Sequence, residues 1–307
     1  MSDLSAIERF EPHRGRLFAV AYRMTGSVVD AEDCVQEAFV RWQRVDLDTV
    51  EKDEAYLVRV TSRLAIDRQR QAARRRETYV GPWLPEPLLA PLGTAPAPAS
   101  ASASPEHEVE LADSLSFAFL VLLDRLSSAE RAAFILHDVF GVPFDEVAHT
   151  LGRDADACRQ LASRGRRKLH DVSDSEGLHL HGRARDDLSS SAMAALLGSL
   201  LSGDVEGCLA HLAPDVVLVS DAGPNRRAAR RHVVGADRVL RLVVNLFNRD
   251  VERVSSISPV SVNGSTGLYV EHEDGPMVFT GDVDDDGRIR RVWILMNPDK
   301  IARPQHL

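Results

Sequence analysis

Apolar residues recur at spacings of three and four through the first quarter of the chain, and no stretch there alternates with the two-residue period of a strand. Phe10, Leu17, Phe18, Ala21 and Tyr22 mark one helix face. Asp30 reads as the N-cap of a second helix, with Glu32 and Asp33 in the first turn, where the helix dipole favours acids. Behind it Ala31, Cys34, Val35, Ala38 and Trp42 form an inward stripe, leaving Asp33, Gln36, Glu37 and Arg41 on other faces. A third helix is expected from Asp53 to Glu77, with Tyr56, Leu57, Val60 and Leu64 inward. From Gly81 to Pro105 seven prolines stand among Ala, Ser and Gly, a composition that builds no core and reads as a linker.

Helical periodicity resumes from Glu106 to His170. Ser127 or Ser128 caps a helix with Glu130 in its first turn, and Phe140-Gly141-Val142-Pro143 breaks it. A short helix over Phe144–Leu151, a turn at Gly152, and a last helix from Ala155 to His170 capped by Asp154 make a helix-turn-helix. In the last helix Ala157, Leu161, Gly165 and Leu169 would pack inward, while Gln160, Ser163, Arg164 and Arg167 share another face. Gln and Arg make bidentate contacts to base edges, and Arg159, Arg166 and Lys168 suit phosphates. A plain helical hairpin with a solvated basic face is the alternative.

Past a polar joint the pattern changes. Two helices over Asp187–Leu212, a short strand at Val216–Val219 and an amphipathic helix at Gly235–Phe247 precede strands at Val254–Val262, Gly267–Glu273, Met277–Val283 and Ile289–Met296. Asn263-Gly264, Asp274-Gly275 and Asp286-Gly287 lie between those strands, the dipeptides of tight hairpins. The chain therefore divides into helical domains over 1–80 and 106–172, a linker over 81–105, a joint over 173–185 and an α+β domain over 186–303.

Charge sharpens this division. The net charge of −9 argues against a uniformly nucleic-acid-binding surface, yet the seven arginines from Arg59 to Arg76 face one acid, Asp67. Six basic residues from Arg153 to Lys168 face Asp154 and Asp156. Two basic segments in an acidic chain suggest two specific DNA contacts, the first a stripe through Arg59, Arg63, Arg70 and Arg74. Its alternative is local pairing, as between Arg63 and Asp67. Three isolated cysteines fit no disulfide framework or zinc spacing, and neither a signal peptide nor a membrane span is visible. A reducing cytoplasm is the expected location, and no cofactor or metal is expected.

The words Asp30-Ala31-Glu32-Asp33-Cys34-Val35-Gln36-Glu37-Ala38-Phe39 and Ala55-Tyr56-Leu57-Val58-Arg59-Val60-Thr61-Ser62-Arg63-Leu64-Ala65-Ile66-Asp67, with the helix-turn-helix over Leu126–Leu169, resemble an extracytoplasmic-function sigma factor. The resemblance implies a protein that is not an enzyme. It implies a first domain that binds core RNA polymerase through Asp33, Gln36 and Glu37 and meets the minus-ten promoter element through Arg59, Ser62, Arg63, Arg70 and Arg74. It further implies a second domain that reads the minus-thirty-five element through Asp156, Arg159, Gln160, Ser163, Arg164 and Arg167. Trp83-Leu84-Pro85-Glu86-Pro87 and Asn297-Pro298-Asp299-Lys300-Ile301 resemble the paired motifs of a subgroup with a SnoaL-like, nuclear-transport-factor-2-like C-terminal cone. By that likeness Trp83, Leu84, Pro85, Asn297, Pro298, Asp299 and Lys300 couple the extension to the sigma domains. Asp221-Ala222-Gly223-Pro224-Asn225 departs from the subgroup's more Gly-rich loop.

Two other readings stay open at this point. A polymerase-independent repressor would use Gln160–Arg167 and have no need of the Asp33–Glu37 helix. An enzyme fused to a DNA-binding module would need pocket acids or bases, for which Asp221, His211 and His232 are the candidates. Asp282–Asp286 reads as a charged hairpin tip rather than a calcium loop, and Arg226, Arg227, Arg230 and Arg231 could meet an acidic partner or solvent.

Overall fold

The structure, a computed structural model, describes residues 2–92, 116–176, 178, 183–224 and 226–301. They form two compact units. The first holds the residues up to Glu77 and those from Phe119 to Glu176; the second holds Thr78 to the end of the described linker segment, Ser116–Ala118, and the residues beyond Glu176.

The first unit is helical. What reads as one N-terminal face is two helices, α1 (Ser2–Phe10) and α2 (Arg14–Thr25), separated by a 3-10 turn at Glu11–His13, where Pro12 sits in the first turn. Next, α3 (Val28–Trp42) is capped by Ser27 rather than Asp30: the Ser27 hydroxyl accepts from the Asp30 amide at 3.2 Å. Asp30 falls instead in the first turn. Together with α4 (Asp53–Arg76), these helices bury Phe10, Leu17, Tyr22, Cys34, Trp42 and Leu57, and the Trp42 indole donates to the Ala6 carbonyl.

Following α5 (Phe117–Leu123), α6 (Ser128–Phe134) opens with a full capping box between Ser127 and Glu130 and widens into a π turn at Ile135–Val139. The helix-turn-helix then comprises α7 (Phe144–Leu151), left-handed Gly152, and α8 (Ala155–Glu176), which runs beyond the expected His170. Leu161, Gly165 and Leu169 are buried and Ala157 half-buried. A Cβ on Gly165 would sit 3.4 Å from the Glu130 carbonyl and 3.5 Å from Phe134, so glycine lets α8 close on α6.

The second unit is a seven-stranded sheet with helices. Its strands are β1 (Leu89–Pro91), β2 (Leu212–Asp221), β3 (Val233–Val234), β4 (Val254–Val262), β5 (Ser265–His272), β6 (Met277–Val283) and β7 (Ile289–Leu295), in the order β1-β4-β5-β6-β7-β2-β3. The β4–β7 meander is antiparallel, but β2 pairs with β7 in parallel. Helices α9 (Arg183–Ser202), α10 (Val205–Ala210) and α11 (Ala236–Asp250) complete it, with a core around Met193, Leu212, Val216, Leu240, Val292 and Ile294.

The stretch expected to be a bare linker contributes β1. Leu89–Pro91 pair with Val260–Val262, and Leu88 exchanges two bonds with Asn263, at 3.1 and 2.9 Å. Proline is tolerated there because β1 is an edge strand. The remaining linker prolines, Pro96, Pro98 and Pro105, lie outside the described residues.

Candidate nucleic-acid interface and a buried latch

On α3, Gln36 and Glu37 are exposed, and Glu37 pairs one turn along with Arg41 at 3.0 Å. Asp33 is half-buried and receives Arg68 of α4 at 2.9 Å, an interhelical tie that the sequence reading missed.

The arginines of α4 divide. Arg70 and Arg74 are exposed, Arg70 lying 3.6 Å from Asp67, whereas half-buried Arg59 stacks over Tyr56. Arg63 does not bridge to Asp67; it donates to the carbonyls of His149 and Thr150 at the end of α7. The last carbonyls of a helix lack intrahelical donors and carry the negative end of its dipole, which suits a guanidinium. Ser62 does not belong with the exposed set. It is fully buried, because it falls on the face of α4 that carries Leu57, Val58 and Ala65 into the core, and its hydroxyl has no bonding partner among the described residues.

On α8, Asp156, Arg159, Gln160, Ser163, Arg164 and Arg167 are all exposed on one helix. Asp156 pairs with Arg159, whose guanidinium lies over Phe144. Arg166 and Lys168 are engaged within the unit, by Asp138 at 2.8 Å and Glu130 at 2.7 Å. Glu130 is buried; although burial alone would raise its pKa, the bonds from Lys168 and Ser127 outweigh that and hold it below the ordinary carboxylate value.

Two arginines that the sequence did not single out are fully buried. Arg131 of α6 donates to the Arg23 carbonyl at 2.9 Å, and Arg23 lies over Phe140. Burial lowers their pKa values to about 10 and about 9. A lone Arg inside a helical pattern carries no signal that would mark it as interior.

In the second unit the two candidate motifs meet on Asp221, which is fully buried at the end of β2. One carboxylate oxygen accepts from the Tyr79 hydroxyl at 2.5 Å and the Gly223 amide at 3.1 Å. The other accepts from the Leu84 amide at 2.8 Å and the Lys300 ammonium at 2.7 Å. Lys300 also donates to the Leu84 carbonyl at 2.7 Å and lies 4.2 Å from the Trp83 ring centre. Asn297 donates to the Tyr79 hydroxyl at 3.0 Å, while its own oxygen accepts from the Asp299 amide. Leu84 and Pro85 are buried and Trp83 half-buried, whereas Pro298 and Asp299 are exposed. Tyr79 and Asp221 complete a constellation of which the sequence showed only the flanking motifs. Burial, followed by the bond to Asp221, pushes the Tyr79 phenol well above its ordinary value.

The loop that departs from the subgroup's pattern retains the glycine that matters. Gly223 has φ +63, and a Cβ there would come within 2.8 Å of the Asn297 side chain. Asn225 lies outside the described residues. Of the three residues weighed for catalysis, the Asp221 carboxylate is engaged by the latch, and neither it, His211 nor His232 is among the residues lining the cavity beside Met193, Leu240 and Phe279. At the acidic hairpin tip Asp284 accepts from the Asp286 and Arg288 amides, and no metal-ligating cluster occurs among the described residues.

Residues 9–75 match Sigma-70 region 2 and residues 116–169 match Sigma-70 region 4, which places the first unit among the sigma factors. Over 305 residues the chain is 36% identical to the ECF RNA polymerase sigma factor SigJ of Mycobacterium tuberculosis, spanning 96% of this chain and 93% of that one. It is also 36% identical over 228 residues to the probable ECF RNA polymerase sigma factor SigI of the same species, with 74% and 72% of the chains covered. The crystal structure of SigJ superposes with a TM-score of 0.73 at 34% identity, over 96% of this chain and 97% of that one. The protein belongs to the extracytoplasmic-function sigma factors, and its second unit is a SnoaL-like, nuclear-transport-factor-2-like cone.

Proposed function

We propose that this sigma factor binds core RNA polymerase through the α3 surface of Asp33, Gln36 and Glu37. On this reading it contacts the minus-ten element through Arg59, Arg63, Arg70 and Arg74 and reads the minus-thirty-five element through the exposed face of α8. Its partners are then core polymerase and promoter DNA, its place is the cytoplasm, where that polymerase works, and it performs no catalysis of its own. The cone tunes promoter use by gripping the segment that follows α4. The observation that carries this is the Asp221 carboxylate, which holds Tyr79 and Leu84 from that segment together with Lys300. Arg63 adds to it: its guanidinium is bonded to the carbonyl end of α7, and a phosphate competes with those bonds. The two promoter elements lie about 25 base pairs apart, roughly 85 Å at 3.4 Å per step. Two faces packed within one unit must therefore separate before both can bind.

The test is transcription in vitro with purified core polymerase on a promoter library, comparing the native chain with Asp221→Asn. Initiation by the native chain, with an altered promoter preference or output for the variant, is the expected result. If the native chain neither binds core polymerase nor directs initiation, the sigma reading fails. If the variant initiates identically, the latch has no regulatory part.

A further inference from the structure

Leu268, Val270 and His272 alternate along β5 and face the same side of the sheet as Met277 and Phe279 of β6. Helices α9 and α11 cover that side, and a cavity of about 960 Å³ remains between them and the sheet. Its walls are mostly apolar, with charged side chains gathered toward one end, and Val243, Phe247, Leu268 and Phe279, though inside the fold, stay only half-buried because they border this space. Native packing leaves few voids larger than a water molecule, whereas small-molecule sites span roughly 300–1,000 Å³. The volume belongs to the second class.

Within this apolar lining one polar group stands out. The His272 side chain is 2% exposed, and its Nδ1 lies 3.0 Å from the Asp274 amide. A backbone amide can only donate, so Nδ1 accepts, and the proton of the neutral ring sits on Nε2. That Nε2–H is buried and has no acceptor among the described residues. Unmet buried donors are rare in native proteins and call for an explanation. An acceptor brought into the cavity supplies one.

The charge near this end of the cavity points to the kind of acceptor. Arg226, Arg227, Arg249 and Arg253 line it against Asp250 and Asp274. Arg249 pairs with Asp250, and Arg253 with Asp274 and Glu273. Arg226 is different. Half-buried, it donates to the carbonyls of Gly275, Pro276 and Met296 at 3.0–3.2 Å, and no described carboxylate lies within ion-pair distance of it. Neutral carbonyls fix its position, Asp274 and Asp250 act on it only from beyond ion-pair distance, and it lines the same cavity as the unmet donor.

We propose that the cone binds an organic anion with a large apolar body, such as a long-chain or polycyclic carboxylate. The body fills the cavity, and the head group accepts from His272 Nε2 under the field of Arg226. The proposal concerns the cavity alone and stands or falls independently of the latch and of polymerase binding.

The test uses the full chain and two fluorescent probes that share an apolar ring system, anilinonaphthalene sulfonate and its uncharged counterpart N-phenylnaphthylamine. Saturable binding of one sulfonate per chain is expected, at least about tenfold tighter than the uncharged probe. His272→Phe should abolish that preference while leaving the uncharged probe within about twofold of its original affinity, and His272→Gln, which keeps an N–H donor, should restore part of it. Val243→Trp, or Leu200→Phe should the first variant not fold, fills the cavity and should weaken both probes. Binding that does not saturate, or that ignores the filling variants, places the probes on the outer surface and overturns the proposal. Equal affinity for the two probes, or a sulfonate preference unchanged in His272→Phe, overturns the assignment of the head group.

Discussion

Asp221 takes an ion pair and three further hydrogen bonds into the protein interior. A buried pair that loses one partner leaves an uncompensated charge, at a cost of about 3–5 kcal/mol. Asp221→Asn should therefore destabilise the second unit by about 3 kcal/mol in urea unfolding. In a double-mutant cycle, Lys300→Met in the Asp221→Asn background should cost much less than it does alone. Gly223→Ala tests the same site through the backbone: a side chain at φ +63 facing Asn297 should cost about 1–3 kcal/mol. The raised Tyr79 pKa fixes the sign of the alkaline response. The folded form holds the phenol proton more tightly than the unfolded chain, so this stabilisation is complete below about pH 10 and declines as pH rises further. Ultraviolet titration should show one of the four tyrosines ionising late, and Tyr79→Phe should remove that component. None of this could be read locally, because Tyr79 and Asp221 lie 142 positions apart.

Among the elements, Glu130 ties the cap of α6 to α8 through Ser127 and Lys168. Its folded pKa lies below the unfolded value of about 4.3, so its contribution is present above that pH and is lost as pH falls through the folded value. Glu130→Gln should flatten the acid limb of the first unit's stability curve, followed by circular dichroism. On α8, Gln160→Ala should cost about 1–3 kcal/mol of promoter discrimination and relax preference at a single upstream position. Arg74→Ala on α4 should weaken all promoters alike and lower the salt slope by about one. These helices were largely legible, since α7 and the start of α8 fall where breaker, glycine and cap place them, and the Asn263-Gly264 hairpin is a local signal. The start of α3 was not, because Ser27 and Asp30 are both good caps three residues apart and only the three-dimensional bonding chooses between them. Nor was β1: a proline-bearing segment reads as irregular until an open edge, here β4, accepts it. The parallel pairing of β2 with β7 joins segments about 70 residues apart and leaves no local trace.

Across the whole chain, the second unit is assembled from separate stretches: residues that follow α4 close it at Asp221 and Lys300. Cutting after His170 therefore does more than delete the later part of the cone. It removes every latch partner of Tyr79, Trp83 and Leu84 and leaves their apolar surface without its cover. The truncated protein should self-associate in sedimentation velocity, and Trp83→Ser with Leu84→Ser should return it to monomer. The same discontinuity orders events during synthesis. Leu84 leaves the ribosome 216 residues ahead of Lys300. Sigma region 4 ends at residue 169, 131 residues before Lys300, so at about 5–20 residues per second both sigma regions are complete for roughly 7–26 s while the latch has no ammonium to close on. On the proposed reading, each new molecule therefore passes through an interval in which its sigma regions are folded and the cone has no hold on them.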